Sequence, residues 1–475
     1  MHSPASSTLR ILPRHVPQNG ILKRSRVVPS PNTVRYDDTL LLTVSLPSLL
    51  PYDVHLLVNP STRFFHPDAK INYVNADGVT TRTERLLPTD WKLYTGDVIR
   101  PSWVERSWEF ERLGYGRNKE AVIGRAAIMV HEAGFGGVRW EGTFDIGGEQ
   151  YHVLTRENYE AVKSDNDVEV ADLEGGMVVF SDRDMVHEKR SDTPSGSTCG
   201  HDKLAYNMNP YHPSRVRRDL PPRLLPRGDD IGGNKPDSNY IDSIGSTAGC
   251  PTENKIVFMG VMLDCTYVDK FGSPDAARTN LLSKWNMVSD LYLQTFKITL
   301  GIIELTVMDS TCTKNGANMD WNVACETKTS LDTRLGYFSQ WRGAKGDDGA
   351  GLWHLMTACT SDTEVGVAWL GAICQTDVKH QDDGSYVSGT GVSSATPTEW
   401  NVIAHEIGHG FGAIHDVSTQ LSISCRMLTY SVRRRLQPFG GLLSAIQVQL
   451  RCWRTVHHEP HHRHDREELF AMHDR

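Results

Sequence analysis

The stretch 400–416, WNVIAHEIGHGFGAIHD, constrains this chain more than any other, because it sets a helix, its end and three imidazoles around that end. Its core is His405-Glu406-x-x-His409-x-x-Gly412-x-x-His415. Two His four apart on a helix stand one turn above each other, so both can reach one ion, at roughly 2.0–2.1 Å for zinc. Trp400, Ile403, Ile407 and Phe411 recur at helical spacing on the opposite side, which makes one face core and the other cleft. Thr396-Pro397-Thr398-Glu399 matches a capping box with Thr396 as N-cap, so the helix should begin at about 397. A continuing helix would carry a third His away from the first two. Gly412 can take the left-handed conformation that ends a helix, and His415 can then meet the same ion.

Three neutral His leave the fourth tetrahedral position to water, the arrangement of a catalytic zinc and not of a structural one. Zinc lowers the pKa of that water towards about 7, and Glu406, beside the ligands but not one of them, is placed to take its proton. The chemistry expected is peptide-bond hydrolysis with one catalytic Zn2+, with Glu406 as general base and later proton donor. A bare H-E-x-x-H arises by chance, whereas the added Gly412 and His415 make the pattern specific. With Asp416 directly after the last His, the sequence resembles the metzincins, and within them the reprolysin or adamalysin branch, the protease domain of the ADAM (disintegrin and metalloprotease) proteins. That resemblance implies a metzincin-type α/β (α+β) zinc protease domain with a mixed sheet and an active-site helix, preceded by a β-rich propeptide domain. It also implies protein or peptide substrates.

The chain has 475 residues, enough for two or three domains. A net charge of -8 gives no electrostatic reason to expect nucleic acid or an anionic membrane as partner. No apolar run of about 18 residues is present, so no transmembrane segment is expected. The N-terminus lacks an apolar h-region, so no signal peptide is readable.

Residues 1–35 read as a loose arm rich in Ser, Pro and basic residues. Residues 36–165 are β-rich, with Asp77-Gly78 as a hairpin turn. Trp140 to Phe144, Ile146 and Tyr151-His152-Val153 look like the end of an ADAM-type propeptide domain; an unrelated β-rich domain is the alternative. His131-Glu132 starts no second metal motif, since no His follows at the required spacing. Residues 166–249 are a linker, acidic first and then rich in Ser, Pro, Gly and Arg.

That linker holds Cys199, which stands alone upstream while Cys250, Cys265, Cys312, Cys325, Cys359, Cys374, Cys425 and Cys452 follow. An unpaired thiol tethered near an open zinc position can bind as thiolate and displace the water. This resembles the cysteine switch of metzincin proenzymes; a structural or intermolecular thiol is the plainer alternative. Arg215-Val216-Arg217-Arg218 resembles the cleavage sites of furin and kexin-like convertases, which would be processing partners, although a solvated basic stretch would read the same.

From 250 to 430 strands and helices alternate, as expected of the metalloprotease domain: strands 256–263, 298–308, 351–357 and 365–373, with helices 276–296 and 329–341. Gly366-Val367-Ala368-Trp369-Leu370 resembles the reprolysin edge strand, to which an extended substrate adds as another strand. An ordinary core strand is the alternative. The neighbours Cys250/Cys265, Cys312/Cys325 and Cys359/Cys374 are candidate disulfide pairs, although spacing cannot fix connectivity. Such usage suggests an oxidising, secretory or extracellular destination, where family members are often membrane-anchored, and an incomplete N-terminus. The convertase site and the short, disulfide-rich catalytic domain look similar to fungal members of the family, and the resemblance allows calcium, for which no local signature stands out.

After Asp416 the resemblance stops. Residues 417–475 hold nine Arg, no Lys and five acidic residues, and 431–475 form a basic, His-rich tail. Met427 is the nearest candidate for the Met-containing turn expected beneath the zinc. A tail so unlike the body is compatible with an altered reading frame or a retained intron. The competing function is therefore a catalytically impaired pseudoprotease that acts as a binding protein.

Overall fold

The structure, a computed structural model, describes residues 6–12, 26–27, 34–104, 121–131, 138–164, 167, 176–185, 198–209, 212, 253–313, 319–327, 329–361 and 364–415. Arg215, Arg217, Arg218, Cys250, Asp416, Met427 and the His-rich tail lie outside them.

Two large sheets carry the fold. The first has nine antiparallel strands, from Ser6–Leu12 to Met177–Ser181, all drawn from the region upstream of Cys199. The second has eight strands: β1 (Phe65–Val74), β2 (Thr80–Arg85), β3 (Thr198–Cys199), β4 (Lys255–Leu263), β5 (Ile298–Met308), β6 (Leu352–Thr357), β7 (Glu364–Ala368) and β8 (Thr390–Ser394). Their order is β3-β7-β8-β6-β4-β5-β1-β2. β7 runs antiparallel to β8, while β8, β6, β4 and β5 run parallel to one another, so the sheet is mixed. Both of its outer positions are filled by upstream chain. The hairpin β1–β2, turning at Gly78 with φ of 81°, pairs parallel to β5 through β1, and β3 pairs with β7.

Three long helices pack on this sheet: α1 (Pro274–Phe296), α2 (Leu331–Lys345) and α3 (Glu399–Gly410). α1 starts where Ser273 Oγ accepts from Ala276 N–H, with Pro274 in its first turn, and ends on Lys297 in the left-handed region. Its apolar stripe, Leu281, Leu282, Trp285, Val288 and Tyr292, packs against Leu300, Ile302 and Ile403 in one core. The opposite, polar face is buried too. Asn286 Nδ2 donates to Tyr94 O (3.1 Å) and Ile128 O (3.3 Å), and Asp290 pairs with Arg125 at 2.8 Å, so the first sheet covers the side that a sequence reading assigns to water.

Two expectations are corrected here. The disulfides are Cys265–Cys312 and Cys325–Cys359, not bonds between sequence neighbours. β4 and β5 are parallel neighbours, so residues shortly beyond their C-terminal ends, Cys265 and Cys312, meet at that end of the sheet. Cys374 is disulfide-bonded as well, but Cys359 is already taken by Cys325. Cross-links closing 47 and 34 residues each remove roughly 4 kcal/mol of chain entropy from the unfolded state. Second, α3 begins at Glu399 with Thr398 as N-cap, and the capping box on Thr396 does not form.

The reason is that the Glu399 carboxylate turns into the core, where it accepts from Asn280 Nδ2 (2.5 Å) and Tyr267 Oη–H (3.2 Å). Buried Lys284 on α1 stands close enough to act on both Glu399 and Glu141 of the first sheet, whose carboxyl it helps hold at about 2 against the burial that raises it. Burial pushes the Glu399 carboxyl up to about 7, the Lys284 ammonium opposing it. For an acid raised in the folded state, stability is fully present below about 4.5 and lost as pH climbs towards 7, because the unfolded chain ionises first. Buried His354, pushed down to about 3 by desolvation, acts on the other limb: stability falls as pH drops below its ordinary value. The two effects oppose each other between about 4.5 and 6.5, so Glu399→Gln should make the change in melting temperature of the full chain from pH 5 to 7.5 more positive than in wild type. Equal slopes for the two proteins would remove this assignment.

Candidate metal centre

α3 presents His405, Glu406 and His409, all buried, from its cleft side, while Trp400, Ile403, Ile407 and Phe411 enter the core. Trp400 Nε1 also donates to His152 Nδ1 of the first sheet (3.3 Å). The helix stops in a Schellman turn: Ala413 N–H bonds to Gly408 O, Gly412 N–H bonds to His409 O, and Gly412 has φ of 93°. Gly371 N–H and Ile373 N–H satisfy the last carbonyls, on His409 and Gly410. This explains why β7 ends at Ala368 and not at 373: the chain after it serves the helix terminus.

Past that turn His415 comes back to the helix. His405 Nε2 lies 3.1 Å from His415 Nε2 and 2.9 Å from His409 Nε2. His409 Nδ1–H donates to Ala413 O (2.7 Å), and His415 Nδ1–H donates to the Asp202 carboxylate (2.7 Å). Burial holds His405 down at about 3 and His409 well below its ordinary value, so both are neutral rings. With Nδ1 of His409 and His415 donating outward, their Nε2 atoms carry lone pairs that point at one another and at His405. Converging lone pairs repel unless a cation lies between them. Ligand atoms around a tetrahedral zinc are spaced by roughly 3.3 Å, and the rings need little adjustment to reach that.

Cys199 Sγ closes the fourth corner, 3.5 Å from His409 Nε2, and the four ligand atoms lie within 4.8 Å of one another. Cys199 belongs to neither disulfide with a described partner. Its position follows from backbone pairing: Cys199 registers with Gly366 in β7, and Gly200 N–H donates to Gly366 O (2.9 Å).

Glu406 is fully buried, and neither of its carboxylate oxygens has a hydrogen-bond partner. Burial pushes the Glu406 carboxyl up to about 8, against the pull of the nearby Cys199 thiol. A carboxyl buried in this way is costly as the anion, and its raised pKa makes Glu406 a stronger proton acceptor than an ordinary carboxylate. Gly366 makes the space for it, since a Cβ there would stand 2.4 Å from Glu406 Oε1.

Gly366, Val367 and Ala368 lie in β7, and Trp369 and Leu370 follow its end. Trp369 is buried, its Nε1–H donating to Ser339 Oγ of α2 at 2.9 Å. The backbone beyond is held by a residue the sequence reading passed over. Asn207 Nδ2 donates to Ala368 O (2.9 Å) and to His201 O, and its Oδ1 accepts from Leu370 N–H (2.8 Å), so one amide imitates a peptide unit of an added strand. His201 and Asp202 were likewise assigned no role. His201 stacks on His409 with ring centroids 3.8 Å apart, and its only signal is adjacency to Cys199.

A family model described as Reprolysin_5, metallopeptidase family M12, matches residues 252–435. The chain is 33% identical over 392 residues to the disintegrin and metalloproteinase domain-containing protein B of Aspergillus fumigatus, covering 76% of this chain and 47% of that one. The protein of the same name from Arthroderma otae is 31% identical over 397 residues, with coverage of 78% and 48%. The zinc metalloprotease mde10 of Schizosaccharomyces pombe is 27% identical over 179 residues, covering 34% of each chain. The chain thus spans about half the length of the first two relatives. Metalloproteinase-II from Bacteroides fragilis aligns with a TM-score of 0.31 at 14% identity, over 79% of this chain and 81% of that one, too loosely for residue correspondences. The match to a metallopeptidase family is consistent with zinc, and the cluster of Cys199 with three His could hold it.

Proposed function

We propose that this chain is the latent precursor of a zinc-dependent metalloendopeptidase of the reprolysin type, acting on protein substrates. The observation that carries the reading is the convergence of three imidazoles around one point, with a thiol at the fourth corner and the partnerless Glu406 carboxylate beside it. His405, His409 and His415 hold the ion. Zinc, when bound, supplies a Lewis acid for the substrate carbonyl and a water of lowered pKa. Glu406 takes the proton of the attacking water and returns it to the leaving amine.

Cys199 keeps the precursor inactive by taking the place of that water. The segment 198–209 also occupies Gly366 O, Ala368 O and Leu370 N–H, the backbone groups to which an extended peptide would add. Once it leaves, recognition through Gly366 to Leu370 relies on main-chain bonds and tolerates varied side chains. Cutting after Arg215-Val216-Arg217-Arg218, between Cys199 and the M12 domain, is the releasing step, and a furin-like convertase is the matching partner. The disulfides Cys265–Cys312 and Cys325–Cys359, with a further one at Cys374, support a secretory or extracellular site of action. Among the described residues no helix is long and apolar enough to cross a membrane.

The test is cleavage of an unfolded generic protein such as casein by the full chain before and after convertase treatment. Activity should appear only after the cut and vanish with a zinc chelator. A cut product that holds one zinc per chain yet hydrolyses nothing would instead mark a binding protein built on a protease scaffold.

A further inference from the structure

Latency explains Cys199, but it gives no reason for the residue three positions later. Asp202 Oδ2 lies 2.7 Å from His415 Nδ1, with the His415 side chain 6% and the Asp202 side chain 26% exposed. The two His ligands with described Nδ1 contacts are therefore oriented by different parts of the molecule. His409 takes its partner, Ala413 O, from the loop that follows its own helix. His415, the ligand beyond the Gly412 turn and so the least constrained by helix geometry, takes its partner from the upstream segment.

The geometry points to Asp202 as a positioning residue for the metal centre. The propeptide carries an inhibitory thiol and also the outer carboxylate that fixes the ring orientation of His415, so propeptide removal loosens the third ligand. This inference rests on the reading that Cys199 and the three His share one zinc. A carboxylate on the far nitrogen of a ligating His fixes its tautomer, raises its basicity and is worth on the order of 10- to 100-fold in metal affinity. The presentation is rigid. Cys199 ends β3 directly before one short turn, His201 to Lys203, which contains Asp202; Gly200 at its start is bonded to β7 and Lys203 Nζ is paired with Glu364. Asn207 then ties His201 O to Ala368 O, which keeps the turn from drifting along the strand. The latent protein consequently binds zinc more tightly than the cut enzyme for a reason separate from the thiol, and metal loading belongs before cleavage.

The measurement is zinc transfer from purified full-length protein to the chromogenic chelator 4-(2-pyridylazo)resorcinol, on wild type, Asp202→Ala, Asp202→Asn and Cys199→Ala. Convertase-cut wild type freed of residues 1–218 is the fifth sample. Asp202→Ala should lose zinc at 10- to 100-fold lower chelator concentration, with Asp202→Asn in between, because its amide oxygen still accepts from Nδ1–H. Cobalt(II)-loaded Asp202→Ala should keep the sulfur-to-metal charge-transfer band of wild type, which shows that Cys199 still ligates and the turn is still docked. The cut enzyme, lacking both groups, should release zinc more readily than uncut Cys199→Ala, which keeps Asp202. Equal retention by Asp202→Ala and wild type, or by cut enzyme and Cys199→Ala, overturns the assignment while leaving the zinc reading intact. A wild-type precursor that takes up no zinc overturns both.

Discussion

Glu406→Ala, cut at 215–218, holds one zinc per chain and cleaves no protein. The side chain is not among the four converging ligand atoms, so its loss leaves the three imidazoles and their outward hydrogen bonds in place. What disappears is a buried carboxyl with a hydrogen-bond partner on neither oxygen, next to the vertex that Cys199 occupies in the latent form. A positioned general base contributes about 10²- to 10⁴-fold, which is about 3–5 kcal/mol of barrier, and the second proton transfer to the amine is lost with it. Glu406→Gln keeps the volume and separates loss of the base from repacking. Zinc content by atomic absorption together with peptide cleavage checks this, and substantial activity in either variant would overturn the role of Glu406.

Cys199→Ala should make the uncut chain active on short peptides. A tethered thiol competes with water at an effective concentration in the millimolar range for a short flexible link, and higher here because the strand pairing of Cys199 with Gly366 pre-aligns it. Removing the sulfur opens the ligand position on the order of 10²-fold or more. Large substrates should gain less than short ones, because Gly200 and Asn207 still cover the backbone of β7. The comparison is the uncut variant against uncut wild type on a short fluorogenic peptide and on casein. No gain on the peptide would refute latency through Cys199.

The zinc helix was legible because its signals are local: ligand spacing on one face, an apolar stripe on the other, and a glycine where the chain must turn back. The strands Lys255–Leu263, Ile298–Met308 and Leu352–Thr357 were legible for similar reasons, since each carries its own periodicity, whereas Thr390–Ser394, short and rich in Thr, Gly and Ser, was not foreseen. What escaped depends on partners remote in sequence. Thr396 and Glu399 satisfy a capping rule, yet Glu399 gains more from Asn280, 119 positions away, than from its own helix end. Cys265 finds Cys312 because two parallel strands end side by side, which spacing alone does not express. The polar face of α1 looks solvated until the first sheet is laid over it. Asp202 and Asn207 are ordinary residues of a linker until β7 and His415 are placed beside them.

The hairpin at 65–85 has a consequence for how the molecule is built. Asn72 bonds to Glu304 across 232 positions of chain, so the catalytic sheet borrows an outer strand that leaves the ribosome long before the rest of it. Ordering so distant a contact is slow, and until it forms the eleven-residue strand Ile298–Met308 offers a bare row of amides and carbonyls to any other nascent chain. An early-made hairpin already waiting in the same polypeptide shortens that exposure, and a gene fragment encoding the catalytic half alone would have to fold without it.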